Sequence, residues 1–149
     1  KLHAVVNQLG LPLRALVTPG NRFDGPYLPK LVEDLEADYV LADGAYHSKA
    51  NFEAIRAINA VPVIADNPRK KGKRRKIEAD ALLVAKRYLV EQFNGLIKCE
   101  VLDECWLWPR GMVKKASMVM AGLICLNANA VDALVEGEES LRVVSKYWD

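Results

Sequence analysis

Apolar residues form two different patterns along the chain, one spaced as on a helix face and one continuous. Together the patterns predict strands that alternate with helices. Leu28, Leu31, Val32 and Leu35 recur at the spacing of one helical face. Residues 39–42 (YVLA) are continuously apolar instead, which predicts a short strand buried on both faces. The predicted strands cover residues 1–7, 13–18, 39–42 and 61–65, and the predicted helices cover residues 26–35, 48–58, 78–99 and 113–135.

This order of elements predicts an α/β fold with a mixed sheet flanked by helices. Gly10 and Pro12 predict a turn that makes the first two strands a hairpin. Asp24 and Ser48 stand where they can cap the first two helices. The length of 149 residues suits a single domain, with a core in residues 1–100 and a helical tail in residues 101–149.

Composition excludes several classes of protein. The chain is 51% hydrophobic and 27% charged, as in ordinary globular proteins. The longest uncharged, mostly apolar run covers residues 116–126, far fewer than the ~20 that a membrane-spanning helix needs. The three cysteines form no CxxC pair and only two histidines are present, which argues against a zinc site. We therefore expect a reduced cytoplasmic protein with buried cysteines.

The net charge of +2 is an average over two unlike parts. Residues 67–98 hold 10 basic and 3 acidic side chains, a net charge of +7, whereas the remainder holds 11 basic and 16 acidic side chains, a net charge of −5. A basic segment on an acidic body suggests a polyanionic partner such as nucleic acid. The alternative is a solvated loop.

Two acidic residues stand out by position. Asp43 follows the strand at residues 39–42, and functional groups in α/β sheets gather at the carboxyl ends of strands. Glu91 lies in the predicted helix 78–99, where Arg87, Glu91 and Lys98 fall within about 60° on one face. The structural alternatives are a turn aspartate and an exposed Arg87–Glu91 ion pair.

These residues resemble motifs of the DDE transposases encoded by bacterial insertion sequences. Arg87, Glu91 and Lys98 match the pattern R-x3-E-x6-K, and upstream the segments KLHAVV, GLPL, VTPGN with Asp24, and LADGAYHS with Asp43 follow in the order of the family. The resemblance covers roughly residues 1–130. One departure is that Val84 stands three residues before Arg87, where the family often has tyrosine.

The resemblance implies a ribonuclease-H-like fold whose acidic triad holds two Mg²⁺ ions, with Mn²⁺ as the alternative, for DNA strand cleavage and transfer. Asp43 would be the second acid of the triad and Glu91 the third. DNA is then the expected partner, with no membrane partner, a homo-oligomeric full-length protein and a location at the bacterial nucleoid in the cytoplasm. The residues expected to contact DNA are Arg87, Lys98, Tyr46, Arg69, Lys70, Lys71, Lys73, Arg74, Arg75 and Lys76; for Tyr46 a structural role is the alternative.

The family places its first acid on a strand before the one that matches KLHAVV, where this sequence begins. The expected domain is therefore truncated at its N-terminal strand. Two other interpretations stay open: an inactive remnant that only binds DNA, and an unrelated α/β domain in which Asp43 serves a small ligand.

We predict that the isolated 149-residue chain does not cut DNA, because the metal site lacks its first carboxylate. The measurement is incubation with supercoiled plasmid and Mg²⁺, followed by electrophoresis. Mg²⁺-dependent nicking that Glu91→Ala abolishes would contradict this prediction.

Overall fold

The chain begins with an antiparallel hairpin, as the turn residues Gly10 and Pro12 predict. In the computed structural model, which describes residues 1–64, 86–101, 110–138 and 140–141, strand β1 covers Leu2–Val6 and strand β2 covers Pro12–Val17. The Asn7 side chain closes the turn by accepting hydrogen bonds from the backbone N–H groups of Leu9 and Leu11. Gly10, at φ 76°, takes the left-handed conformation that the turn requires.

A parallel strand pair follows, joined by a helix. Strand β3 covers Tyr39–Ala42, helix α2 covers Lys49–Ala57 and strand β4 covers Val61–Ile64. A helical crossover is needed here because a tight turn cannot join parallel strands. The Ser48 hydroxyl accepts a hydrogen bond from the Asn51 backbone N–H, which confirms the predicted cap of this helix.

Helix α1, at Leu28–Val32, is shorter than predicted and follows a 3₁₀ turn at Gly25–Tyr27. It ends at Glu33, whose ψ of 130° leaves the helical region, and Asp34 follows in the left-handed conformation at φ 57°. Leu28, Val32 and Ile55 form a buried core with neighbours from β3 and β4. The predicted apolar stripe of α1 is thus confirmed at Leu28, Leu31 and Val32, all less than 5% exposed.

A second core forms on the β1–β2 hairpin. Helix α3 covers Tyr88–Leu96 and continues into a π-helical turn at Ile97–Val101, and helix α4 covers Met112–Glu136. Phe93 and Ile97 pack with residues of α4 against apolar side chains of both hairpin strands. Asn127 of α4 also donates a hydrogen bond to the backbone oxygen of Pro12.

Helix α4 confirms the predicted helix at residues 113–135. By length and composition alone it is apolar enough to cross a membrane. One face of it, with Val119, Leu123 and Leu126, is buried in the second core, whereas apolar side chains on its other faces, such as Ile124 and Val135, are exposed.

The chain divides into two compact units. The first contains Lys1 and Gly20–Tyr88, and the second contains Leu2–Pro19 and Leu89–Asp149. The α/β class is confirmed, but the described residues pair as two two-stranded sheets rather than one mixed sheet, since β1 pairs only with β2 and β3 only with β4.

Three finer predictions are wrong. Strand β3 is not buried on both faces, because Tyr39 is 48% exposed and only Ala42 is buried. Lys86 and Arg87 form a turn before α3, so the helix predicted over residues 78–99 does not run through them; residues 65–85 lie outside the described part. Cys99 and Cys125 are exposed rather than buried. Cys125 falls off the buried stripe of α4, which periodicity without a known partner surface does not reveal.

We predict that Phe93→Ala lowers the free energy of unfolding by about 3–5 kcal/mol, because it empties a fully buried site in the second core. The matched control is Phe23→Ala, which removes the same ring where it is 87% exposed and should change stability by less than about 0.5 kcal/mol. Urea unfolding followed by circular dichroism measures both. Equal losses in the two variants would contradict this assignment of the core.

Candidate acidic site at the end of strand β3

Asp43 lies where strand β3 ends, as the sequence predicts. Its backbone is extended, and its Oδ1 accepts a hydrogen bond of 2.8 Å from the Ala45 N–H. The chain then makes a 3₁₀ turn at Gly44–Tyr46. Asp43 is exposed, so a cation or a ligand in solvent can reach its carboxylate.

A buried amide attaches this turn to helix α2. The side chain of Asn51 is part of a residue only 1% exposed, and its Nδ2 donates a 2.7 Å hydrogen bond to the backbone oxygen of Tyr46. A buried amide without such a partner would carry a desolvation cost of about 1–3 kcal/mol. Asn51 therefore holds the segment from Asp43 to Tyr46 in one conformation.

The loop before α1 approaches the same turn. A Cβ added at Gly25 would lie 3.3 Å from the backbone oxygen of Ala45 and 3.8 Å from Nδ2 of Asn51. The absence of a side chain at Gly25 thus permits the close approach of the two segments. Asp24, the preceding residue, is brought next to the Asp43 turn as a result.

Asp24 does not act as the predicted helix cap. It occupies the residue before the 3₁₀ turn, but its side chain makes no capping hydrogen bond. Its Oδ1 lies 2.8 Å from Nζ of Lys1, with which it forms an ion pair. A charged partner that is distant in sequence competes successfully with the local N–H groups, and capping patterns in sequence cannot register such a partner.

Tyr46 lies between the carboxylates of Asp24 and Asp43 and the first core, the one formed around Leu28, Val32 and Ile55. Its ring packs against the core of α1, α2 and β3. Burial, followed by the negative charges of Asp24 and Asp43, raises the pKa of Tyr46 from 10.0 to about 12. The phenol therefore keeps its proton to a higher pH than an exposed tyrosine does. The core contact favours the structural role for Tyr46 that the sequence left open beside DNA contact.

Glu91 lies in the second unit, in the first turn of helix α3. Its carboxylate is exposed, and a negative charge in the first turn is favoured by the helix dipole. On the same helix Phe93 is fully buried, which fixes the rotation of α3 and keeps Glu91 on the solvent side.

The predicted single face of Arg87, Glu91 and Lys98 is not formed as one regular helix. Arg87 lies in the turn before α3 and is half-buried, and Lys98 lies in the π-helical turn after it and is exposed. The rotation of 100° per residue applies only inside an α-helix, and a π-helical turn holds more residues. The basic residues from Arg69 to Lys76 lie outside the described residues.

The chemistry of the two predicted acids suits a divalent cation, because carboxylate oxygens are the ligands that hard cations prefer. Within the described residues, no group of three or more histidine, cysteine and acidic side chains is placed to hold a metal ion. Asp43 belongs to the first unit and Glu91 to the second, and each of them is exposed.

Sequence reasoning missed Asn51 and Lys1. An asparagine in the first turn of a helix is ordinary, and only its burial against the turn reveals that it holds Tyr46. Lys1 contacts residues 21 and 23 positions away, so no local pattern signals the pair.

Comparisons with known proteins agree with this arrangement of motifs. A family model described as "Transposase DDE domain" matches residues 1–127. A Brucella ovis protein, described as "Putative transposase for insertion sequence element IS6501", is 40% identical over 106 residues, which cover 66% of this chain and 75% of that protein. No solved structure matches the chain significantly.

We predict that Tyr46→Phe changes how stability depends on alkaline pH. In the wild type the unfolded state loses its phenol proton from about pH 10, whereas the folded state keeps it until about pH 12. The stabilisation is complete below pH 10 and is lost as pH rises through 12, by at most ~2 kcal/mol once solvent screening of the half-buried phenol is allowed for. Tyr46→Phe lacks this loss.

Urea unfolding of both proteins from pH 8 to pH 12 measures the difference, with Tyr39→Phe as the control for removing a hydroxyl at an exposed tyrosine. Parallel curves for the wild type and Tyr46→Phe would contradict the assignment.

Proposed function

The chain belongs to the DDE transposase family, and from this premise we propose that it carries two of the acidic residues used for DNA strand cleavage and transfer. The observation that carries the proposal is Asp43, an exposed carboxylate at the carboxyl end of β3, inside the segment that matches the family. Family membership sets aside the interpretation as an unrelated α/β ligand-binding domain.

Asp43 and Glu91 have the roles of second and third acid in this proposal. Members of the family depend on divalent metal ions, and we propose Mg²⁺, with Mn²⁺ as a substitute. Two such ions would activate the attacking water or 3′-hydroxyl and stabilise the leaving oxygen of the phosphodiester. The support for each residue is its exposure and its place in a family motif.

The chain's own residues hold the acids and the DNA. Asn51 and Ala45 fix the backbone around Asp43, so that little ordering remains to be done when a cation is bound. Arg87 and Lys98 flank α3 and would contact phosphate oxygens, and the segment Arg69–Lys76 would follow the duplex backbone. These contacts depend on charge and carry no sequence information.

The remaining parts of the proposal follow from family membership. The parallel β3–α2–β4 unit supports a ribonuclease-H-like fold. A transposase that pairs two DNA ends is expected to act as a homo-oligomer, at the nucleoid in the bacterial cytoplasm.

Iron-mediated cleavage of the protein backbone tests the acidic assignment directly. Fe²⁺ substitutes for Mg²⁺, and with ascorbate and peroxide it produces radicals that cut the polypeptide within a few ångströms of the bound ion. We predict cuts near residue 43 and near residue 91, mapped by mass spectrometry and suppressed by excess Mg²⁺.

The variants are Asp43→Asn and Glu91→Gln, each expected to reduce cutting at least about tenfold, because each removes a metal-ligating charge. The matched control is Asp38→Asn, which removes an exposed carboxylate at the opposite end of the same strand. Cleavage that is unchanged in Asp43→Asn would contradict the assignment, and so would cleavage that occurs equally near every exposed acidic residue. Absence of cutting with intact DNA binding would favour the remnant that only binds DNA.

A further inference from the structure

Phe23 presents its ring to solvent in a way that the core does not explain. It is 87% exposed, the most exposed large hydrophobic side chain in the described part of the chain. A single apolar side chain on a surface is common and needs no function by itself. What distinguishes Phe23 is how the chain holds it and what lies beside it.

One cation holds both residues that flank Phe23. The ammonium group of Lys1 donates to the backbone oxygen of Arg22 at 3.0 Å and pairs with Oδ1 of Asp24 at 2.8 Å. These contacts fix the backbone on either side of the ring. The ring is therefore displayed by a constrained segment, which lowers the entropy that a partner must remove on binding.

The segment Arg22–Asp24, which Lys1 holds, continues into Gly25, and Gly25 lies against the turn that follows Asp43. Gly25 approaches the backbone oxygen of Ala45 so closely that a Cβ would lie 3.3 Å from it. The charges of Asp24 and Asp43 both act on the Tyr46 phenol. Phe23 lies one residue before Asp24 and two residues before Gly25, which approaches the turn that follows Asp43, within the same unit.

We propose that Phe23 stacks on an unpaired DNA base next to the strand that is processed at Asp43. The inference rests on the proposed function and adds to it a residue that distinguishes unpaired from paired bases. An aromatic ring accepts any base, because every base has a π face. The exposed guanidinium of Arg22 is the neighbouring charge that can contact the phosphate of the same nucleotide.

A base is the occupant that the chemistry favours. Chains of this family act on DNA. The carboxylates near Phe23 repel DNA phosphates unless cations lie between them, and the proposed function supplies such cations. A side chain inserted at a base step separates neighbouring bases and exposes the sugar–phosphate backbone. Phe23 would thereby keep one strand accessible to the acidic site.

The experiment measures binding of the 149-residue chain to two short fluorescent duplexes, one ending in unpaired thymines and the other ending in abasic nucleotides at the same positions. Fluorescence anisotropy at low ionic strength in Mg²⁺ gives both affinities. We expect the wild type to bind the thymine end about tenfold more tightly, which is within the range of one aromatic–base stack.

Phe23→Ala is expected to bring this ratio to about one without changing the affinity for the abasic end, and Phe23→Trp is expected to retain the ratio. Tyr39→Ala is the matched control, since it removes an exposed aromatic ring at the opposite end of β3 from Asp43. Circular dichroism verifies that each variant is folded.

The outcomes separate the two proposals. Equal binding of both duplexes by the wild type overturns the role of Phe23, and so does an unchanged ratio of affinities in Phe23→Ala. In either case, iron-mediated cleavage of the polypeptide near residue 43 would leave the proposed function intact. A change in sedimentation of Phe23→Ala without a change in the ratio also overturns it, and assigns the ring to a protein contact. Failure of the wild type to bind either duplex overturns the role of Phe23 and the DNA contacts of the proposed function together.

Discussion

The parallel pairing of β3 with β4 is the constraint on which the first unit depends. Two parallel strands need a crossover, and here α2 supplies it, with Ile55 wholly buried against both strands and α1. This packing brings the start of α2 under the carboxyl end of β3. The turn at Asp43 can then be held by a side chain of the helix rather than by solvent.

The candidate site follows from that arrangement in two steps. First, Asn51 is buried and its side-chain amide donates a hydrogen bond to the backbone oxygen of Tyr46, which holds the turn without a ligand. Second, Gly25 lets the loop before α1 come close, which adds Asp24 and an ion pair with Lys1. Lys1 offsets part of this negative charge, and burial, followed by the charges of Asp24 and Asp43, raises the pKa of Tyr46.

The second unit holds its acid by a different device. Phe93 of α3 and Ile97 of the following turn pack against the hairpin and α4. This packing leaves Glu91 on the exposed side of α3. Lys98 follows in a π-helical turn, an irregularity that is frequent at functional sites. One acid is therefore placed by a strand end and the other by a helix face, each with its own core.

Local periodicity and the order of the motifs were enough to predict the kinds of element, their order, the Ser48 cap, the buried stripe of α1 and the family. Position after an apolar strand was enough to select Asp43. The folded chain was needed to show that Asp24 pairs with Lys1, that Asn51 is buried beneath the turn, and that Arg87 lies outside α3. It was also needed to show that the strands of the described residues form two pairs rather than one sheet. These features depend on partners far apart in the chain, whose proximity no local pattern records.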